Sequence, residues 1–202
     1  MSAALGPEQT IVMSWEQYAS GNFNRALIPW DKYRYSKNGI IQVPAQTLRN
    51  ADIIDTLRTR LNEEIKRLNT QWRCYTHSIS IEVEHHHKEE RIPDLIIINK
   101  QTYELIGPNS RLLTLLMPVP ILIVEMVDPS LITTAIQARE QEYLQRRIRE
   151  YISIDWHNQQ VIVRTLHKDE TAFRHSLFKT GDTLTFNAFP SLNLTVDEIL
   201  AP

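Results

Sequence analysis

The sequence predicts an α/β fold of the α+β type, in which helices flank one mixed β-sheet. Two short runs, residues 94–99 and 120–127, are apolar on both faces, which is typical of strands at the centre of a sheet. An amphipathic helical pattern lies before these runs, and a second helix and several strand-like segments follow them. This order of helix, antiparallel strands, helix and further strands predicts a sandwich of helices and sheet.

The helices are predicted from capping residues and from apolar spacing. Ser14 and Thr195 are each followed three residues later by a glutamine or a glutamate, the spacing of a capping box at the start of a short helix. From Asn50 onwards, apolar residues recur three and four positions apart, which predicts a long amphipathic helix ending near residues 69–72. Another helix is predicted over about 132–149.

The strands are predicted from alternation and from the turn residues between them. Ile79, Ile81 and Val83 alternate with polar residues, which indicates a half-buried strand. The polar segment 85–91 then reads as a hairpin tip, from which the chain returns as the strand 94–99. A turn followed by a strand is predicted at 38–43, and further strands are predicted at 120–127, 150–155, 160–166, 172–178 and 183–187.

Composition limits the classes of protein to consider. A chain of 202 residues that is 42% hydrophobic is expected to form one domain, here residues 11–202, preceded by a loose segment 1–10. A formal net charge of −2 offers no global basic field for nucleic acid or membranes. The start of the chain lacks the features of a signal peptide, and no apolar run reaches the roughly 20 residues of a membrane span. We therefore expect a soluble, cytoplasmic protein with no membrane partner.

Two groups of residues could bind a metal ion, and they differ in whether their side chains can converge on one ion. His85, His86 and His87 are adjacent, so on an extended chain their side chains alternate and cannot converge on one ion. They are interpreted as an exposed turn. Glu125 and Asp94 are different, because each stands in a strand that is otherwise apolar. A buried carboxylate is costly unless it is paired or binds a cation.

The two acids would meet if their strands were antiparallel neighbours, because the start of one strand then lies beside the end of the other. Two hard oxygen donors at one sheet edge suit Mg²⁺ or Mn²⁺ rather than zinc. In the competing interpretation, Glu125 turns to solvent or pairs with an arginine.

Three blocks of the sequence resemble a known family. They read RIPDLIII (91–98), PILIVEMVDPS (120–130) and REQEYLQRRIREYISID (139–155). In this order and spacing they are similar to the PDLxxV, VVEVxSPS and K-x3-Y-x7-EYWxVD blocks of the Uma-two family of restriction-endonuclease-like proteins. The resemblance implies the PD-(D/E)xK nuclease fold and a metal-dependent endonuclease. It also implies that Asp94, Glu125 and the backbone carbonyl of Met126 hold Mg²⁺ or Mn²⁺.

The chain departs from the family pattern around this pair. Val127 stands where the superfamily motif has its lysine, and the lysine that the family places on the next helix is Arg139 here. An aspartate usual four residues earlier is Ala135, and a loose alignment puts Arg34 where a glutamate is usual. Arginine can stabilise charge on a phosphate but cannot act as a base. Two readings stay open: an endonuclease with Arg139 in its site, and an inactive binding or interaction protein in which an arginine replaces the metal.

Partners are predicted less directly than the fold. The resemblance implies a nucleic acid, with DNA as the first choice, and a possible homodimer. Two clusters of basic residues are the candidates for contact with it: Arg146, Arg147 and Arg149, and Lys66, Arg67 and Arg73. With no net positive charge on the chain, ordinary solvated helix faces are the preferred interpretation of both clusters. Trp15, Trp30, Trp72 and Trp156 are interpreted as core or interface residues.

Overall fold

The computed structural model describes residues 13–20, 33–36, 39–42, 46–84, 89–108, 110–129 and 133–201. Helices and strands alternate irregularly along these ranges. The elements are α1 (Trp15–Ala19), β1 (Tyr33–Ser36), β2 (Gly39–Gln42), α2 (Leu48–Arg67), β3 (Trp72–Thr76), β4 (Ser80–Glu84), β5 (Glu89–Arg91), β6 (Leu95–Asn99), α3 (Lys100–Ile106), β7 (Leu112–Leu113), β8 (Leu122–Met126), α4 (Thr133–Gln145), β9 (Glu150–Asp155), β10 (Gln160–Thr165), β11 (Arg174–Lys179) and α5 (Val196–Leu200).

The main sheet has six strands in the order β11-β10-β9-β8-β6-β3. The β8–β9 pair is parallel and the other pairs are antiparallel, so the sheet is mixed. The apolar runs predicted as central strands are β6 and β8, and both lie in the sheet interior. Every residue of β8 is buried, which is the burial that an apolar pattern on both faces predicts.

Alternate residues of the central strands face two different cores. On one side, Leu95 and Ile97 pack with Ile53 and Leu57 of α2. On the other, Ile96 and Ile98 pack in a cluster that includes residues of α3 and α4. The predicted mixed sheet flanked by helices is therefore confirmed, and successive residues of one strand build both layers.

The prediction of a single sheet was wrong. The segment 80–84 does not return as β6: it pairs with the short strand β5 and, in parallel, with β7 in a separate three-stranded sheet. β1 and β2 form a third, two-stranded sheet. β6 instead pairs with β3, a strand that the sequence pattern did not reveal, and with β8.

The polar segment predicted as a hairpin tip is partly a buried strand. Glu89 and Glu90 of β5 are both buried, although their charge suggested exposure. Glu90 accepts hydrogen bonds from the Tyr18 hydroxyl and, at 2.7 Å, from the Tyr35 backbone N–H, and it lies 3.6 Å from Arg111. These partners come from distant parts of the chain and compensate the buried charge. Residues 85–87, predicted as an exposed turn, lie outside the described residues.

The helix predictions hold with adjusted ends. α1 and α5 carry the predicted capping boxes, with both reciprocal hydrogen bonds present. α2 begins two residues before Asn50, with Thr47 as its N-cap. α4 ends at Gln145 rather than 149, and Arg147 then adopts a left-handed backbone with φ of 62°. The strand predicted at 183–187 is reduced to an isolated bridge between Thr183 and Thr195.

The N-terminal elements pack on the three-stranded sheet around a small third core. Trp15, Tyr18, Tyr35, Ile40 and Leu112 form this cluster. The loose segment 1–10 lies outside the described residues, so that boundary stays a prediction. Among the residues that the structure describes, no helix is long and apolar enough to cross a membrane.

Candidate functional site

Asp94 and Glu125 stand at the same end of the two central strands. The antiparallel register pairs Leu95 with Val124, so the residues immediately beyond this pair are Asp94 on one chain segment and Glu125 on the other. The Met126 backbone N–H donates a hydrogen bond of 2.6 Å to Asp94 Oδ2, which ties the two segments together beyond the last strand pair. β6 and β8 are therefore antiparallel neighbours, which is the condition under which Asp94 and Glu125 were expected to meet.

Glu125 is a buried carboxylate held on both oxygens. Its Oε1 accepts a hydrogen bond from the Tyr143 hydroxyl, and its Oε2 accepts one of 2.9 Å from Arg139 Nη1. Burial raises the pKa of Glu125, nearby Arg139 opposes this rise, and the negative charge of Asp94 adds to it. Two donors on α4 therefore stabilise a carboxylate that the strand itself cannot solvate.

Asp94 is less fully enclosed but is also perturbed. Burial raises the pKa of Asp94 from its usual 3.8 to about 6, against the lowering effects of the Met126 N–H and of Arg139. Its other oxygen, Oδ1, lies 3.6 Å from Nδ1 of His77. The two acids thus form a pair of desolvated carboxylates, which is the electrostatic situation that a bound cation relieves.

Sequence reasoning missed His77. It follows β3 with a left-handed backbone (φ of 49°), which costs free energy for a residue with a side chain. Burial lowers the pKa of His77, while the charge of Glu125 raises it. No local pattern marked this position, because the strand that delivers it, β3, was itself not predicted.

Arg139 lies on α4 and faces the pair. Its side chain is 30% exposed, and the charge of Glu125 raises the pKa of its guanidinium above an already high value. Among the described residues, one hydrogen bond joins Arg139 to the two acids, so the pairing is single rather than a two-bond fork. Ala135, one turn earlier on the same helix, is half-buried and brings no polar group.

Ion pairs fix α4 against the sheets around this site. Arg164 of β10 donates to Glu140 at 2.8 Å and to Ser153 at 2.8 Å, and its side chain is 5% exposed. Arg91 of β5 forms a two-bond fork with Glu142, at 2.6 and 2.8 Å. These contacts hold the face of the helix that presents Arg139.

Arg34 reaches the same region through β5. It lies 3.6 Å from Glu89, which also pairs with Arg91 at 2.7 Å. Burial lowers the pKa of Arg34, and the charge of Arg91 lowers it further. Arg34 therefore belongs to an ion-pair chain that leads to α4, and no contact joins it to the two acids among the described residues.

Most of the basic candidates for nucleic-acid contact have structural roles. Arg146 is buried and donates to the carbonyls of Thr114 and Met117, and Arg147 caps the carbonyls of Lys168 and Glu170. The remaining cations divide into one in an ion pair (Arg67), one stacked on Tyr103 (Arg73) and two exposed (Lys66 and Arg149). Trp15, Trp72 and Trp156 pack against the cores, and Trp30 lies outside the described residues.

The oxygen atoms of Asp94 and Glu125 suit a hard cation that takes only a few of its ligands from the protein. Within the described ranges, no three His, Cys, Asp or Glu side chains are arranged to hold a metal ion together. The Met126 backbone carbonyl, the third ligand that the family resemblance implies, belongs to the residue whose N–H binds Asp94. Magnesium typically binds one or two carboxylates and keeps several waters, so this set suffices for it.

The comparisons with known proteins agree with this fold. The model of the family Uma2, described as "Putative restriction endonuclease", matches residues 21–197. The chain belongs to the Uma2 family. The match includes Asp94, Glu125 and Arg139, and the resemblance first read from the three sequence blocks is confirmed. No curated protein matches the chain significantly in sequence.

A solved structure shares the architecture. It is the crystal structure of a protein from Anabaena variabilis described as "a putative nuclease belonging to DUF820". The TM-score is 0.63 at 16% sequence identity, over 84% of this chain and 89% of that one. At this identity the likeness establishes the fold of the chain, and the arrangement of helices on a mixed sheet is that of the Anabaena protein.

Proposed function

We propose that the chain is a metal-dependent endonuclease that hydrolyses phosphodiester bonds of nucleic acid, with DNA as the first substrate to test. The observation that carries this proposal is the register of β6 and β8, which sets the buried Glu125 and the partly buried Asp94 side by side at one end of these strands. Membership of a family described as "Putative restriction endonuclease" supports the reaction class. Fold alone does not determine activity, so the site carries the argument.

Asp94, Glu125 and the Met126 carbonyl would hold Mg²⁺ or Mn²⁺. When bound, the ion supplies an activated water and polarisation of the scissile phosphate. The residues around it supply the rest of the site. Tyr143 orients the Glu125 carboxylate through its hydroxyl, and the Met126 N–H orients Asp94. Because these donors are fixed by α4 and β8, the pair is preorganised before any ligand arrives.

Arg139 would contact a phosphate oxygen rather than move a proton. Its pKa is raised further by Glu125, so it stays protonated at every useful pH. Its single hydrogen bond to Glu125 leaves the remaining guanidinium donors to a substrate oxygen. In this role the arginine stabilises negative charge that develops on the phosphate.

A second function is favoured by one specific observation, the 2.9 Å ion pair between Arg139 and Glu125. If this pair is permanent, the guanidinium takes the place of the cation. The chain would then be an inactive nucleic-acid-binding or protein-interaction member of the family. The two functions differ in one testable respect, which is whether a divalent ion can displace Arg139 from Glu125.

The first experiment measures metal binding by thermal unfolding. Mg²⁺ or Mn²⁺ should raise the melting temperature of the wild type in a concentration-dependent way, because a ligand that binds only the folded state stabilises it. Glu125→Gln should abolish this increase, and Glu104→Gln, an exposed acid on α3, should not. An equal increase in the Glu125→Gln protein would place the cation elsewhere.

The second experiment measures cleavage of plasmid and single-stranded substrates by the wild type and by Arg139→Lys. An active site keeps or gains metal-dependent cleavage in Arg139→Lys, because lysine is the usual residue of the family. An inactive one shows no cleavage in either protein and loses stability in the variant. Intact substrates with both proteins, under Mg²⁺ and Mn²⁺, would favour the binding function. The predicted homodimer can be measured on the same samples by light scattering.

A further inference from the structure

A cleft lies at the opposite end of the main sheet from Asp94 and Glu125. It has a volume of about 590 Å³ and is lined by residues that precede β8, begin β3 and β9, and follow β10. Because β8 runs from this cleft towards Glu125, the whole length of the strand separates the two sites. The volume is within the range of small-molecule sites.

The walls of the cleft are mainly apolar. Trp72, Val119, Pro120 and Leu166 line it, together with the side chain of Ala188. Trp72 is fixed from behind by an edge-to-face contact with Phe189, with ring centroids 5.5 Å apart. An aromatic and aliphatic surface of this kind gains free energy by covering an apolar ligand body.

A buried carboxylate holds one wall in place. Glu150 is 1% exposed, and its two oxygens accept hydrogen bonds from the backbone N–H groups of Asn187, at 2.7 Å, and Ala188, at 3.0 Å. These two hydrogen bonds offset the cost of burying the carboxylate and fix the 187–188 segment, which has no regular secondary structure. The cleft is therefore formed by the protein alone and does not need a ligand to assemble it.

The rim of the cleft is basic. Arg149 and Lys168 line it and are exposed, and neither side chain makes a hydrogen bond or ion pair with the residues that the structure describes. Glu150 is the acid of the lining, and both of its oxygens are already engaged by backbone donors. Two available cations above an apolar floor complement a ligand with an apolar body and a negative charge.

We infer that this cleft is a binding site for a small organic anion with an aromatic or aliphatic body. The ring system would lie on Trp72 and the proline wall, and the anionic group would face Arg149 and Lys168. The inference does not depend on the proposed nuclease function, because it uses none of the residues of the acid pair.

The test uses two fluorescent probes with the same rings, 8-anilinonaphthalene-1-sulfonate and its neutral analogue N-phenyl-1-naphthylamine. The wild type should bind the sulfonate saturably and more tightly than the neutral probe. The double variant Arg149→Glu with Lys168→Glu should weaken sulfonate binding by about tenfold or more, equivalent to about 1.4 kcal/mol. Binding of the neutral probe should be unchanged, because the apolar walls are intact.

A matched control makes the same change of net charge elsewhere. Lys66→Glu with Lys179→Glu alters two exposed lysines outside the cleft, and Lys66 lines a shallow depression between α2 and β3 that could compete for the probe. This control should leave sulfonate affinity within about twofold, after correction for net charge at 0.15 M salt. Equal affinity in the wild type and the cleft variant, or a larger loss in the control, would overturn the inference.

A steric variant gives a second readout. Val119→Trp places a large side chain on the half-buried wall of the cleft and should reduce binding of both probes. Urea unfolding of each variant establishes that the fold is retained. Unchanged binding of both probes to a folded Val119→Trp protein would also contradict the inference.

Discussion

Asp94→Asn should stabilise the metal-free protein at neutral pH. Burial raises the pKa of Asp94 from 3.8 to about 6, so the folded protein holds this proton more tightly than the unfolded chain does. The stability that the proton confers is fully present below about pH 4 and is lost as pH rises through about 6. Each pKa unit corresponds to about 1.4 kcal/mol, and a difference of about two units therefore costs the wild type about 3 kcal/mol above pH 7.

The asparagine keeps the shape of the site and removes the charge. Its amide oxygen can still accept the 2.6 Å hydrogen bond from the Met126 N–H, and the repulsion on Glu125 disappears. Asp94→Asn should thus be more stable than the wild type by about 2–3 kcal/mol at pH 8, with the difference vanishing near pH 4.

Urea unfolding in EDTA, at intervals from pH 4 to pH 8, measures both quantities. Asp169→Asn, which removes an exposed carboxylate from a turn, is the control and should give only a small difference in stability. An Asp94→Asn protein that is no more stable than the wild type at pH 8, with a difference constant across the range, would refute the reasoning. Addition of Mg²⁺ at pH 8 should stabilise the wild type and not Asp94→Asn.

Two further substitutions test how the elements are held. Arg164→Met removes the 2.8 Å partner of the Glu140 carboxylate, which keeps His175 at 2.9 Å, and should lower the free energy of unfolding by about 2 kcal/mol, measured by urea denaturation; a loss below about 1 kcal/mol would show that His175 or water replaces the arginine. Thr195→Ala removes the side-chain oxygen that accepts from the Glu198 N–H at 3.2 Å, and should cost about 1 kcal/mol, whereas Thr195→Ser should cost less.

The local sequence pattern was sufficient to predict those elements whose structure depends mainly on residues close by in the chain. β6 and β8 are apolar on both faces because both faces meet a core, and the capping boxes at Ser14 and Thr195 are complete within four residues. The sequence pattern failed where partners are distant. Glu90 looks like a surface residue until Tyr18 and Arg111, 72 and 21 positions away in the chain, are placed beside it.

The candidate site shows the same division. Asp94 and Glu125 could be selected from the sequence because a carboxylate in an apolar strand is costly wherever the strand lies. His77 could not, because its place beside Asp94 depends on β3 pairing with β6 and on a left-handed backbone. The Arg164–Glu140 pair was also missed. It joins a strand to a helix 24 residues earlier in the chain, and no sequence-spacing rule connects the two positions.

The composition of α4 has a consequence for the motions of the protein. In the described helix Thr133–Gln145, Tyr143 is the one buried residue, whereas α2 buries six residues against the sheet. Local opening of α4 therefore exposes little apolar surface, and its amide hydrogen exchange should depend weakly on denaturant concentration, unlike that of α2. The ion pairs that attach it, Arg164–Glu140 and Arg91–Glu142, are largely buried, so added salt should weaken them little. Opening of α4 would carry Arg139 away from Glu125, its 2.9 Å partner, and would expose Tyr143.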